Sequence, residues 1–324
     1  MQEAISAREL RKTYPRDVRA LDGLSLAAER GTIFALAGPN GAGKSTTVKI
    51  LTTLTRPDGG EAHVAGIDVL RHPGRVRRRI GVVGQKTGAT PEATGRENLV
   101  MQGEIHGLTG RPLRQRIEEL LGRFELRDAA DRATRTYSGG MRRRLDVALG
   151  LVNRPEVLFL DEPTTGLDPE ARAELWREIE RLAGHEEMTI LLTTHYLDEA
   201  DRLAAQLAIV DRGRIVAQGT PEALKSDLRG DAIHVELVEA DGGGRVENAL
   251  RSLRGLSELV AEERTVRARA EHGASAIPAV LGTLERQGLA VASVTLARPS
   301  LDDVYLRHAG RVYRDDARSG KEAE

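Results

Sequence analysis

The nine residues "GPNGAGKST" at 38–46 constrain this chain more than any other stretch. They fit the pattern G-x-x-x-x-G-K-S/T through Gly38, Gly43, Lys44 and Ser45. They follow the apolar run "TIFALAG" (32–38) and precede the helical stretch "TTVKILTTL". A strand, a glycine-rich loop and a helix are the setting in which this pattern cradles phosphates. The loop comprises Gly38, Pro39, Asn40, Gly41, Ala42, Gly43, Lys44, Ser45 and Thr46. Its glycines permit backbone angles that aim several N–H groups inward, and the helix N-terminus adds positive potential. Lys44 is expected to reach the β- and γ-phosphates of a nucleotide, and the Ser45 hydroxyl to ligate Mg²⁺. A dinucleotide site would need G-x-G-x-x-G in the first turn, which this segment lacks.

Four further apolar runs accompany that strand: "IGVVGQ" (80–85), "VLFLDE" (157–162), "TILLTTH" (189–195) and "LAIVD" (207–211). Their hydrophobicity is continuous rather than alternating, which implies strands buried on both faces of a parallel sheet. Helical patterns lie between them. One opens at Asp168-Pro169, an N-cap followed by proline, with Leu175, Ile179 and Leu182 as its apolar stripe. Right-handed crossovers are expected.

From about residue 230 the pattern changes. "AIHVELVEA" alternates like a half-exposed strand, "GGG" at 242–244 reads as a turn, and "VENALRSL" has helical spacing. "IPAVLGTLE" reads as a helix and "LAVASVTL" as a strand. "PSLDDVYLRHAG" opens with Ser300 and has Asp303 three residues on, a capping box. The expected division is a nucleotide-binding unit over 1–228, a small α+β domain over 229–311 and a solvated tail over 312–324. A chain of 324 residues has room for about two domains. Aromatics make up only 3%, so the cores must be aliphatic.

The stretch "DEPTTGLDPE" (161–170) raises a chemical question, because two adjacent acids end a buried strand. They could form a solvated turn, or a metal ligand beside a general base. In doubly wound sheets ligands bind outside the carboxyl ends of the strands. Gln85, Asp161, Glu162 and His195 all close such strands. If the strands are parallel neighbours, the four side chains gather around the phosphates. Asp161 would then hold Mg²⁺, and Glu162 would orient and polarise the attacking water. His195 would contact the γ-phosphate, and Gln85 would reach Mg²⁺ or the water.

Residues 137–141 read "YSGGM", a second glycine-rich opening to a helix, with Leu145, Ala148, Leu149 and Val152 on its apolar side. With "GPNGAGKST", Gln85, "VLFLDE", "GLD" (166–168) and His195, these residues stand in the order and spacing of an ATP-binding cassette. Over residues 4–225 the chain resembles the ABC ATPases. That resemblance implies an α/β P-loop NTPase with a mostly parallel sheet core, an antiparallel β subdomain and a helical signature subdomain. It also implies ATP and Mg²⁺ as cofactors and a second copy of the cassette as partner. Ser138, Gly139 and Gly140 of one copy would close on the γ-phosphate held by the other. Asp168 would lie in the loop linking the two sites, and Tyr14, thirty residues before Lys44, would stack on adenine. The signature departs from the commonest form, LSGGQ, at Tyr137 and Met141, and the missing amide removes one side-chain contact to nucleotide. "YSGGMRRRLD" and the C-terminal "PSLDDVYLRHAG" are similar to the daunorubicin/doxorubicin-resistance branch of the family.

That branch implies an ATPase subunit of a drug exporter. The chain shows no apolar run near the ~18 residues a membrane span requires, and its N-terminus has no secretory pattern. A separate polytopic membrane permease is therefore the expected partner, with this chain peripheral on the cytoplasmic side. The Gln85 loop is the expected docking surface. The alternatives are a soluble ABC ATPase acting on ribosomes or nucleic acid, and an importer subunit. A net charge of -1 gives no general pull toward nucleic acid, and the clusters "RVRRR" and "MRRRL" read as helix faces beside the nucleotide or partner surface. The absence of Cys excludes disulfides, thiol nucleophiles and Cys-ligated zinc.

Overall fold

The structure is a computed structural model that describes residues 3–228, 230–240, 244–251, 253, 255–270, 273–297 and 299–310. It divides into two compact units between Thr220 and Pro221. The expected tail over 312–324, and residues 242 and 243 of the "GGG" turn, lie outside the described residues.

The first unit opens with β1 (Glu3–Tyr14), β2 (Val18–Glu29), β3 (Ile33–Ala37), α1 (Lys44–Leu51), β4 (Gly59–Val64) and β5 (Ile67–Asp68). It continues with α2 (Pro73–Arg77), β6 (Ile80–Val83), α3 (Gly95–Ile105), α4 (Gly110–Arg123) and α5 (Gly139–Gly150). It closes with β7 (Val157–Asp161), α6 (Pro169–Glu186), β8 (Thr189–Thr194), α7 (Leu197–Leu203), β9 (Gln206–Asp211) and β10 (Arg214–Gly219). Six strands form one sheet in the order β10-β9-β3-β8-β7-β6, parallel except where β10 pairs with β9.

Both faces of that sheet are buried, which explains the unbroken apolar runs. On β7, Leu158 and Leu160 face a core shared with α3 to α6, whereas Val157 and Phe159 face a second core under α1 and the β1–β2 layer. At the β6 edge the packing is backbone to backbone: a Cβ on Gly81 would sit 2.0 Å from Gly150 O, the last residue of α5. Strands β2, β1, β4 and β5 form a separate antiparallel sheet. Among the described residues no helix is long and apolar enough to cross a membrane.

The second unit contains α8 (Pro221–Ser226), β11 (Asp231–Leu237), α9 (Arg245–Leu250), β12 (Leu256–Glu262), β13 (Thr265–Ala270), α10 (Gly273–Arg286), β14 (Val291–Ala297) and α11 (Leu301–Ala309). Its antiparallel sheet runs β12-β13-β11-β14, giving a βαββαβ unit. Ile233, Val235 and Leu237 of β11 pack against Val246 and Leu250 of α9 and Val280 and Leu284 of α10. The Ser300–Asp303 capping box opens α11 as the sequence suggests.

Candidate functional site

The sheet order places β3, β8, β7 and β6 side by side and parallel, so their carboxyl ends share one edge. The glycine loop leaves β3 there. Gly43 has φ +115, and a Cβ on it would meet Ala20 O at 2.6 Å, so only glycine lets the loop run this close to β2. Helix α1 begins at Lys44, two residues earlier than its apolar pattern suggests. Gly38, Ala42, Gly43 and Lys44 are buried, Pro39, Ser45 and Thr46 half-buried, and Asn40 and Gly41 exposed.

Lys44 turns back over this loop. Its Nζ donates to Gly38 O at 2.6 Å and to Pro39 O at 3.1 Å, and lies 3.4 Å from Glu162 Oε1. Burial lowers the pKa of the ammonium, opposed by the Glu162 carboxylate. Ser45 Oγ donates to Asp161 Oδ1 at 3.2 Å, and Thr193 Oγ1 donates to the same oxygen at 2.6 Å. A hydroxyl and a carboxylate on adjoining elements are hard oxygen donors of the kind that share a small divalent cation with phosphates and water. No cluster of three or more acidic or imidazole ligands exists among the described residues.

The two acids have separate surroundings. Strand β7 ends at Asp161, and Glu162 turns out of it with φ 49, a left-handed conformation rare outside glycine. The Glu162 N–H holds that turn by donating to Thr193 O at 3.1 Å and Thr193 Oγ1 at 3.0 Å. The carboxylate is only 8% exposed, with His195 Nδ1 3.1 Å from Oε2. Burial would raise its pKa, but hydrogen bonding from His195 and the charge of Lys44 override that and bring it from the usual 4.5 to about 2.

A folded-state pKa below the unfolded one gives stability that is fully present above about pH 4.5 and is lost as pH falls through about 2. The stability advantage of the wild type over Glu162→Gln should therefore shrink between pH 7 and pH 3, measured by denaturant midpoints. An equal difference at both pH values would contradict this electrostatic assignment.

An open cleft of about 810 Å³ is lined by Asn40, Gln85, Glu162, Asp168, His195 and Tyr196, among others. It brings together three of the four strand-end side chains, while Asp161 sits behind them on Ser45. Gln85 differs from expectation: β6 stops at Val83, so Gln85 stands two residues beyond the strand, exposed. Asp168 caps α6, its Oδ1 accepting from Ala171 N at 2.8 Å.

Tyr14 is half-buried at the end of β1, opposite Val18 at the turn into β2. Ser138 and Gly139 are exposed and Gly140 half-buried, and none of the three lines the cleft. Ser138 Oγ caps α5 by accepting from Met141 N at 3.2 Å. Tyr137 is buried and donates its hydroxyl to Ala129 O at 2.7 Å, an anchor that leucine could not supply.

Sequence reasoning missed several residues. Thr193 serves both acids, and its position opposite Asp161 in the β7–β8 register was the available signal. Glu199, fully buried, accepts from Trp176 Nε1 at 2.8 Å and so ties α7, just after His195, to α6. Arg143, expected only as part of a helix face beside the nucleotide or partner surface, is 7% exposed and donates to Gly84 O and Pro163 O.

Residues 21–165 match the family model described as ABC transporter, and residues 219–309 match that of the ATP-binding protein DrrA1-3-like, C-terminal domain. The chain is 47% identical to the daunorubicin resistance ATP-binding protein DrrA2 of Streptomyces coeruleorubidus, over 99% of this chain and 98% of that protein. It is 44% identical to the daunorubicin/doxorubicin resistance ATP-binding protein DrrA of Streptomyces peucetius, over 99% of this chain and 96% of that one. Among solved structures, the dimeric ATP-binding cassette MJ0796 in a post-hydrolysis state with ADP and Pi is similar. It has a TM-score of 0.62 and 25% identity, covering 67% of this chain and 98% of that one.

Proposed function

The chain belongs to the ABC transporter ATP-binding family, with a DrrA-like C-terminal domain, and we propose that it powers drug or antibiotic export through a separate membrane subunit. The observation that carries this reading is the Lys44–Glu162–His195 cluster beside Ser45–Asp161 at one sheet edge. Export rather than import, ribosome or nucleic-acid work is favoured by relatives named for daunorubicin and doxorubicin resistance.

The residues divide the labour of phosphoryl transfer to water. The loop from Gly38 to Thr46 holds the triphosphate of ATP, and Ser45 and Asp161 would hold Mg²⁺, whose charge would offset that developing on the phosphates. Glu162 aligns the water that attacks the γ-phosphorus. The new P–O bond forms as the bond to the β–γ bridging oxygen breaks, ADP leaves, and the water proton passes to Glu162. A carboxylate held at about 2 is a weak base. Lys44 cannot serve Glu162 and the γ-phosphate equally, so its transfer to phosphate restores basicity where it is needed. His195 keeps Glu162 oriented and faces the γ-phosphate, and Gln85 would reach Mg²⁺ or the water. Tyr14 stacks on adenine.

A second copy completes the site: its Ser138, Gly139 and Gly140 close on the γ-phosphate, and Asp168 links the paired sites. The exposure of Ser138 and Gly139 in a single copy supports this arrangement, as do the dimeric cassette relatives. The complex sits on the cytoplasmic side of the membrane, with the Gln85 loop toward the permease. Purification from detergent-solubilised membranes through a tagged chain is expected to bring down a polytopic membrane protein. Recovery of the chain alone would sink the transporter assignment.

A further inference from the structure

Helix α5 carries Arg143 and Asp146 three residues apart on one face, each 7% exposed. Arg143 Nε donates to Pro163 O at 2.5 Å, and its Nη1 donates to Gly84 O at 2.7 Å. Asp146 Oδ1 accepts from Thr87 Oγ1 at 2.8 Å and from Gly88 N at 2.9 Å. The two side chains face each other at 3.9 Å. Together they grip the backbone on both sides of Gln85, at Gly84 and at Gly88, and the residue immediately after Glu162. The same helix begins at Gly139, directly after Ser138.

Charge and burial argue against a passive role. Satisfying Gly84 O and Pro163 O would not require a buried cation, and a buried ion pair brings little net stability. A planar guanidinium does, however, present several donors in one rigid fork, and here it bonds carbonyls of two separate loops at once. We propose that Arg143 and Asp146 are a positioning pair for ATP hydrolysis, locking Gln85 and Glu162 to the helix that presents Ser138, Gly139 and Gly140. The inference rests on the ATPase reading above. It adds that the helix bearing the signature is the rigid reference for two groups of its own copy's water site. Neither residue touches nucleotide; each acts through the loops it holds.

The test uses the full-length chain carrying Asp146→Asn, Arg143→Gln or both. Steady-state hydrolysis is measured against ATP concentration, and binding is measured with a fluorescent ATP analogue. Asn retains the acceptor oxygen for Thr87 and Gly88 while removing the charge that faces Arg143.

A positioning role gives a kcat lower by about 10- to 100-fold with KM and analogue affinity within about two-fold, since small misplacement of catalytic groups weakens turnover far more than binding. The double variant should be no worse than the poorer single one, because paired residues acting as one unit are not additive. Unchanged kcat in both single variants would overturn the proposal. So would a loss of affinity matching the loss of turnover, or failure of Asp146→Asn to fold, which would make the pair a stability element only. A wild-type chain that bound ATP without hydrolysing it would remove the ATPase reading, and this proposal with it.

Discussion

Lys44→Ala is expected to lower ATP turnover to below about one-hundredth of wild type and to weaken ATP binding at the same time. Lys44 is 4% exposed, and its Nζ is surrounded by Gly38 O, Pro39 O and Glu162 Oε1, the position from which an ammonium reaches the β- and γ-phosphates. Alanine removes the only side-chain cation in the glycine loop. It also removes one of the two partners that hold the Glu162 carboxylate at about 2, so Glu162 becomes more basic while losing the substrate it acts on. Titration with a fluorescent ATP analogue, alongside phosphate release, checks both halves. Retained affinity would mean that backbone N–H groups alone carry the phosphates.

Glu162→Gln should separate binding from chemistry. The amide keeps the length of the side chain and an acceptor oxygen, but it cannot take the water proton. A fall in kcat of about 100- to 1000-fold is expected with ATP affinity preserved, because Lys44 is then free of its carboxylate partner. If hydrolysis is what separates paired cassettes, this variant should also accumulate as an ATP-dependent dimer on gel filtration. Equal loss of affinity and turnover would place Glu162 in ground-state binding instead.

Much of this site was legible in the sequence because it is built from short local motifs placed in series by a parallel sheet. "GPNGAGKST" needs only the strand before it and the helix after it. "VLFLDE" and "TILLTTH" declare themselves as strands buried on both faces, so Asp161, Glu162 and His195 fall at one edge once β7 and β8 are paired. What escaped depends on long-range contacts. The antiparallel β subdomain was expected only through the family resemblance; its β2-β1-β4-β5 strands were not read from the residues themselves, because register shifts in β1, between Ala7 and Leu10 among others, break the period-two pattern. Strand β12 is half-exposed and β13, though mostly buried, is interrupted by Arg267 and Arg269, so neither shows a clean apolar run.

Arg143 sits in "MRRRL", which reads as a helix face beside the nucleotide or partner surface, and only tertiary structure shows that two distant carbonyls of separate loops meet its guanidinium. Gln85 was expected to close β6, but the strand ends before it, and the segment from Gly84 to Gly88 is held by hydrogen bonds to α5.

The most direct measurement is drug accumulation in cells that express this chain together with the proposed membrane subunit, using an anthracycline as cargo because the curated relatives are named for daunorubicin and doxorubicin resistance. Cells with the wild-type chain should accumulate less drug than cells with the membrane subunit alone, and cells with Glu162→Gln should accumulate as much as those lacking the chain. Equal export by the wild type and Glu162→Gln would contradict the claim that hydrolysis at this site drives transport.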